Sequence, residues 1–298
     1  MTPLLFALPG GHTLLAPLCR ALPATAGELE VRRFPDGESY LRVLSRIAPG
    51  QPVMILADLS RPDTRFLPLC FLCDTLRELG AGRVGLIAPY LCYMRQDTRF
   101  HPGEAVTSRS FARLVSERFD WLLTVDPHLH RYHALGEIYS IPATAAHAVP
   151  LLAGWLRARR DPLLLVGPDT ESEQWVSALA AASGHPYVVG RKQRRGDRDV
   201  LVHLPDLSAW RRHSAIMVDD VISSGQTMLR CAHALTAAGI EHIECAAIHG
   251  LFADHIEDQL QDAGVSRLIT SNSVPHPSNG LDLTPLLLDP ARRLSSTL

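Results

Sequence analysis

Two tandem α/β domains, each a mostly parallel sheet flanked by helices, are what this sequence predicts, and three observations predict them. Short apolar runs alternate with longer stretches of helical periodicity along nearly the whole chain. The order strand, loop, helix, Gly, strand occurs twice, in residues 54–90 and again in residues 216–250. A length of 298 residues with 46% hydrophobic content is ample for two cores.

Taken in order, residues 4–7 read as a strand closed by Pro9-Gly10-Gly11, with a helix over 13–22. Short strands over 31–34 and 40–43 flank Pro35-Asp36-Gly37-Glu38, a turn by composition. An apolar strand over 53–57 leads to a long helix over 63–79 that stops at Gly80. Strand 84–88, helix 108–118 and strand 121–125 complete the first half. The second half restarts with a helix over 149–160 and a buried strand over 163–166 that ends at Gly167-Pro168-Asp169. A helix over 173–182 follows, then strands 187–189 and 200–203 on either side of the charged loop 191–199. Strand 215–218 comes next, and a helix over 228–238 with Met228, Cys231, Leu235 and Ala238 on one face, stopped by Gly239. Strand 245–248, helix 255–263 and strand 267–270 follow, and residues 285–298 form a tail of open function. The boundary falls within 141–145, giving domains of residues 1–143 and 144–298.

Composition narrows the function. A net charge of −2 provides no global field for nucleic acid or an anionic membrane, and no run of about 18 apolar residues could span a bilayer. The apolar N-terminus lacks a basic region and is interrupted by Pro9-Gly10-Gly11, so no secretory signal is expected. Six cysteines are scattered through the alternating elements. Cys70 and Cys73 have C-x-x-C spacing but lie inside a helical run, which reads as a buried face rather than a redox or zinc site. A reducing cytoplasm is the expected setting.

The stretch AIMVDDVISSGQT, residues 215–227, organises the chain. An apolar strand ends in the carboxylates Asp219 and Asp220, and a small hydroxyl-rich turn leads into a helix. Unpaired N–H groups and the helix dipole make such a place an anion site. A phosphate would sit on those N–H groups and the hydroxyls of Ser223, Ser224 and Thr227. The carboxylates cannot bind phosphate directly and must serve sugar hydroxyls or a metal. That combination describes a pocket for ribose 5-phosphate. The first copy of the repeat has lost it: Ala57-Asp58 replaces the acidic pair, and Arg61-Pro62-Asp63 the Ser-Ser-Gly turn. Three further clusters follow strands or turns: Phe34 to Glu38, Arg95-Gln96-Asp97, and Asp126-Pro127-His128. His128 could bind a metal-bound nucleotide phosphate or a divalent ion. With His130 and His133 it forms H-x-H-x-x-H, but without cysteines or a second spaced cluster a structural zinc is not expected.

Residues 215–227 resemble the phosphoribosyl-binding loop of the type I phosphoribosyltransferase fold. Ser224 stands for a Thr of that pattern, and Gln226 replaces a Gly, so its side chain must point away from the phosphate. RFPDGE, PYLCYMRQD, DPH, GPD, the basic loop and VDDVISSGQT occur in the order of the ribose-phosphate diphosphokinases, the phosphoribosyl pyrophosphate (PRPP) synthetases. The resemblance spans residues 34 to about 275, and its form is closest to the archaeal-type branch. It implies two type I phosphoribosyltransferase-like domains that transfer the diphosphoryl group of ATP to ribose 5-phosphate, giving PRPP and AMP, with Mg²⁺ as cofactor. By the same resemblance Phe34, Asp36, Glu38, Arg95, Gln96, Asp97 and His128 would bind ATP, and His128 and Asp169 would position Mg²⁺. Asp219 and Asp220 would hold the ribose hydroxyls, and Ser223, Ser224, Gly225, Gln226 and Thr227 the 5-phosphate. Lys192 and Arg194 would close over the transferring group, while Arg195 and Arg198 receive no role. The resemblance also implies a homo-oligomer with ATP sites shared between subunits. Two other readings compete: a non-catalytic nucleotide-binding regulatory homologue, and a phosphoribosyltransferase.

Overall fold

Strands that are apolar at every position need cover on both faces, which places them inside a parallel sheet with helices above and below. The computed structural model, which describes residues 1–8, 12–194 and 200–296, contains two such sheets in two compact units. Pro9-Gly10-Gly11, the expected stop of the first strand, lies outside the described residues.

The first unit comprises residues 1–147, 273–275 and 283–298. Its elements are β1 (Leu4–Ala7), α1 (Leu15–Ala21), β2 (Thr25–Ala26), β3 (Leu29–Arg33), β4 (Ser39–Val43), β5 (Val53–Leu56), α2 (Pro62–Glu78), β6 (Val84–Ile87), α3 (Thr107–Arg118), β7 (Trp121–Val125) and β8 (Ala143–Ala146). The sheet runs β2-β1-β5-β6-β7-β8, parallel throughout. β3 and β4 leave it as an antiparallel hairpin. Cys70 and Cys73 are buried on α2.

The second unit comprises residues 148–272 and 276–282. It contains α4 (Val149–Arg157), β9 (Leu163–Gly167), α5 (Glu173–Ser183), β10 (Tyr187–Val189), β11 (Arg191–Arg194), β12 (Val200–His203), β13 (Ser214–Ile222), α6 (Gln226–Ala237), β14 (Ile243–Gly250), α7 (Ile256–Asp262), β15 (Val265–Ser271) and β16 (Asn279–Leu281). The order β10-β9-β13-β14-β15-β16 repeats that of the first sheet, again all parallel, and β11–β12 is again an antiparallel hairpin placed before the third strand. Alternation along β13 serves both faces. Ala215 and Met217 pack with Met228, Leu235 and Leu260 of α6 and α7, whereas Ile216 and Val218 pack with Leu152, Val176 and Leu179 of α4 and α5. Among the described residues no helix is long and apolar enough to cross a membrane.

The structure departs from the sequence-based expectation in a few places. β13 does not end before the carboxylates: its ladder with β14 continues through Asp219, Val221 and Ile222. Main-chain pairing carries the strand on where the apolar run stops. α6 correspondingly begins at Gln226, two residues before the expected start at 228. The edge strands β2, β8 and β16 have few bulky apolar residues, so no buried-strand pattern marks them. The tail is the helix α8 (Thr284–Ser296), which belongs to the first unit; its Leu287 and Ala291 are buried, and Arg292 donates to the Ala21 carbonyl at 2.8 Å.

Candidate active site

In the second sheet the chain switches direction between β9 and β13, and ligands of such sheets bind in the crevice at the C-terminal ends of those strands. The last residue pair joining the two strands is Val166 with Met217. Asp219 and Asp220 therefore stand beyond β9, half-buried, while β14 still supports their backbone.

Ser223 to Thr227 turns from β13 into α6. Gly225 has φ +62°, and a Cβ there would lie 2.2 Å from Ile256 Cγ1, so only glycine fits. Gln226 is the exposed first residue of α6 and has no positive φ, which shows how the helix accommodates a side chain at that position. No side chain caps α6, leaving its first N–H groups for a ligand. Ser223 and Thr227 are half-buried and Ser224 is exposed at this end. The loop is braced from behind: Leu251 and Phe252 donate N–H bonds to the Ile222 carbonyl at 2.8 and 3.2 Å, and Ala253 to that of Ser223 at 2.9 Å.

The crevice is acidic. Burial first, then the carboxylates of Asp220 and Asp169, push the Asp219 carboxyl well above the usual carboxylate range; the Asp220 N–H, donating at 3.0 Å, pulls the other way. Asp169 is buried just past the end of β9. Its Oδ1 accepts from the N–H groups of Glu171 at 3.0 Å and Ser172 at 3.3 Å, a capping box that fixes the carboxylate in place. Oxygen donors gathered in this way suit a hard divalent cation such as Mg²⁺, which keeps several waters and needs only one or two protein carboxylates beside a substrate's phosphates. Among the described residues no three His, Cys, Asp or Glu side chains form a ready-made metal cage.

The residues nominated for ATP lie in the first unit. Phe34, Asp36 and Glu38 are exposed at the tip of β3–β4. The tip is closed by Phe34 N–H to the Glu38 carbonyl (2.8 Å) and Glu38 N–H to Asp36 Oδ1 (3.1 Å), with Gly37 at φ +94°. Arg32 lies over the rings of Phe34 and Tyr40 at 4.7 and 4.1 Å. Beyond β6, Arg95 is exposed and Gln96 half-buried. Asp97 is buried, and its Oδ1 accepts from Arg131 at 2.8 Å. Arg131 carries none of the motifs, and its partner lies 34 residues away, so sequence reasoning misses it. Beyond β7, Asp126 has φ +33°, and its carboxylate meets His147 Nδ1 at 3.1 Å. The ring of the next-but-one residue, His128, stacks with that of His130 at 6.2 Å, while His133 is exposed.

Positions 192 and 194 of the basic hairpin are paired in the β11–β12 ladder with Val202 and Val200. The side chains of Lys192 and Arg194 lie outside the described residues, as do Arg195 and Arg198 altogether.

Comparison with known proteins places this geometry in context. A family model described as the N-terminal domain of ribose phosphate pyrophosphokinase matches residues 4–118, and one described as a phosphoribosyl transferase domain matches residues 134–283. The ribose-phosphate pyrophosphokinase of Methanopyrus kandleri is 32% identical over 281 residues, covering 93% of this chain and 94% of the relative. That of Sulfolobus acidocaldarius is 29% identical, covering 93% and 95%. The crystal structure of phosphoribosylpyrophosphate synthetase from Mycobacterium smegmatis shares the fold, with a TM-score of 0.84, 23% identity and 99% of each chain covered.

Proposed function

The chain belongs to the ribose-phosphate pyrophosphokinase family, and on that premise we propose the chemistry of its two units. It is an enzyme that transfers the β,γ-diphosphoryl group of ATP to the 1-hydroxyl of ribose 5-phosphate. The 1-oxygen attacks the β-phosphorus, the bond from that phosphorus to the α,β-bridging oxygen breaks, AMP departs with the oxygen, and the hydroxyl proton is released. The observation that carries the reading is the crevice of the second unit, where an uncapped helix start and a Gly225 turn follow the carboxylates in the last part of β13.

In this reading the N–H groups and hydroxyls of Ser223 to Thr227 hold the 5-phosphate. Asp219 and Asp220 accept hydrogen bonds from the ribose 2- and 3-hydroxyls and so orient the 1-hydroxyl. Asp169 would be a ligand for Mg²⁺ and His128 a partner for the nucleotide's phosphates or their ion, and the ion would supply charge neutralisation on the polyphosphate. Arg95 and Gln96 hold the nucleotide, and Asp97 acts by fixing Arg131 beside them. Lys192 and Arg194 supply fixed positive charge to the equatorial oxygens of the transferring group, which is most of what phosphoryl transfer asks of a protein. Phe34, Asp36 and Glu38 reach a neighbouring copy's nucleotide, a role that their exposure on a hairpin tip permits. A homo-oligomer and a cytoplasmic setting go with this reading.

A non-catalytic regulator would not need the acidic pair and Lys192 together, and a phosphoribosyltransferase would not need the Phe34 hairpin. The deciding experiment is product analysis with ATP, Mg²⁺ and ribose 5-phosphate. AMP and PRPP should form in equal amounts; ADP alone, or no turnover with any pentose phosphate, contradicts the reading.

A further inference from the structure

The segment that braces the phosphate loop is itself in an unfavourable conformation. Phe252 and His255 have φ +44° and +55°, in the left-handed region that side chains avoid. Such residues persist only where their surroundings over-determine them. Between them and just after them lie the groups that touch the loop: the N–H of Ala253 and the side chain of Ile256, against which Gly225 packs.

One side chain holds this segment at both ends. The ring of His276 packs on that of Phe252 at 4.4 Å, and its Nε2 lies 2.8 Å from Glu257 Oε1 in the first turn of α7. Its Nδ1 lies 2.8 Å from Ser278 Oγ and 3.2 Å from the Ser278 backbone nitrogen. A backbone N–H can only donate, so Nδ1 is an acceptor and Nε2 carries the proton that goes to Glu257. The chain of bonds then has one consistent direction: Asn279 Nδ2 to Thr270 Oγ1 (3.0 Å), Thr270 to Ser278 Oγ (2.7 Å), Ser278 to His276, and His276 to Glu257. Thr270 is fully buried in β15, so the relay ties the bracing segment to the sheet.

We propose that His276 is a positioning residue for the pentose phosphate: by clamping Phe252 and Glu257 it sets the backbone of Ser223 to Gly225 in the geometry that receives the 5-phosphate. The inference rests on the assignment of that loop to ribose 5-phosphate. His276 touches no reacting atom, so its loss acts on binding rather than on the transfer step, and on one substrate rather than both.

The test is steady-state kinetics and calorimetric binding of ribose 5-phosphate for the wild type, His276→Ala, His276→Gln and Glu257→Ala. His276→Ala is expected to raise KM and Kd for ribose 5-phosphate about tenfold, with KM for ATP changed less than twofold. His276→Gln retains a donor toward Glu257 and should recover part of the loss. Glu257→Ala should reproduce the direction, and the double variant should fall short of the two effects combined, because both act through one contact. Equal increases for both substrates, a fall in kcat alone, or unchanged binding in the folded variants overturns the proposal. If His276→Ala does not fold, the Gln and Glu257 variants decide on the same criteria. A wild type that fails to bind ribose 5-phosphate removes the assignment of the loop, and the proposal with it; a wild type that binds while every variant matches it removes the proposal alone.

Discussion

After β5 and after β13 the chain makes the same move at the same place in sheets of the same strand order: strand, short loop, helix. After β13, carboxylates gather and Gly225 lets the turn close against Ile256, leaving an uncapped helix start. After β5, Asp58 is paired with Arg65, which also donates to its carbonyl at 3.1 Å, and Pro62 opens α2 without an N–H to offer. The first crevice still holds a cavity of about 230 Å³, lined by His12, Arg33, Asp58 and Arg65 among others. The comparison teaches that two sheets of one strand order can differ at this turn in whether a carboxylate finds its charge partner within the chain.

The hairpins sharpen the comparison most. If β11–β12 supplies transition-state charge and β3–β4 supplies nucleotide binding, Lys192→Ala should lower kcat by about 10²–10³-fold with KM nearly unchanged, the scale for losing one preorganised donor. Phe34→Ala should instead raise KM for ATP by about tenfold, the worth of one aromatic stack. Steady-state kinetics with both substrates varied separates them, and a shared phenotype breaks the division.

The turns come next. Gly225→Ala places a methyl group on Ile256 at a backbone angle that alanine resists, so KM for ribose 5-phosphate should rise by at least about tenfold. Pro62→Ala, in the matching turn of the first unit, should leave that KM within about twofold. Comparable responses at the two turns would mean that the first loop still takes part.

How much of this was legible in the sequence depended on what marks each element. Trp121–Val125 is apolar at every position but Thr124 and reads as a strand at its true bounds. Asn279–Leu281 has nothing apolar until its last residue, and pairing with β15 alone makes it a strand. In α8, Pro285 and Pro290 mask a helix whose cause is burial of Leu287 and Ala291 in the first unit. The acidic pair and the Ser-Ser-Gly turn stand out as a motif because neighbouring residues build them. The bonds of Asp97 with Arg131 and of His276 with Glu257 join residues far apart in the chain, and no local pattern announces them.

A further effect concerns stability and again sets one crevice against the other. Burial holds His12 down to about 4, against the neighbouring charge of Asp58, which would raise it. Between the ordinary value of 6.5 and about 4 the unfolded chain takes up the proton and the folded chain does not. Stability should therefore fall as pH drops below 6.5, by about 3 kcal/mol at most, at about 1.4 kcal/mol for each pH unit. Urea midpoints from pH 7 to 4 should show this slope in the wild type and a flatter one in His12→Gln. In the second crevice the raised Asp219 carboxyl works the other way, the folded chain holding its proton longer as pH rises.

The central claim, that of two matched crevices only the one after β13 takes the pentose phosphate, is tested most directly by calorimetric titration of ribose 5-phosphate into the wild type, Asp220→Asn and Asp58→Asn. One molecule should bind per chain, at least about tenfold more weakly in Asp220→Asn and unchanged in Asp58→Asn. Two molecules per chain, or weakening by Asp58→Asn with Asp220→Asn unaffected, would contradict it.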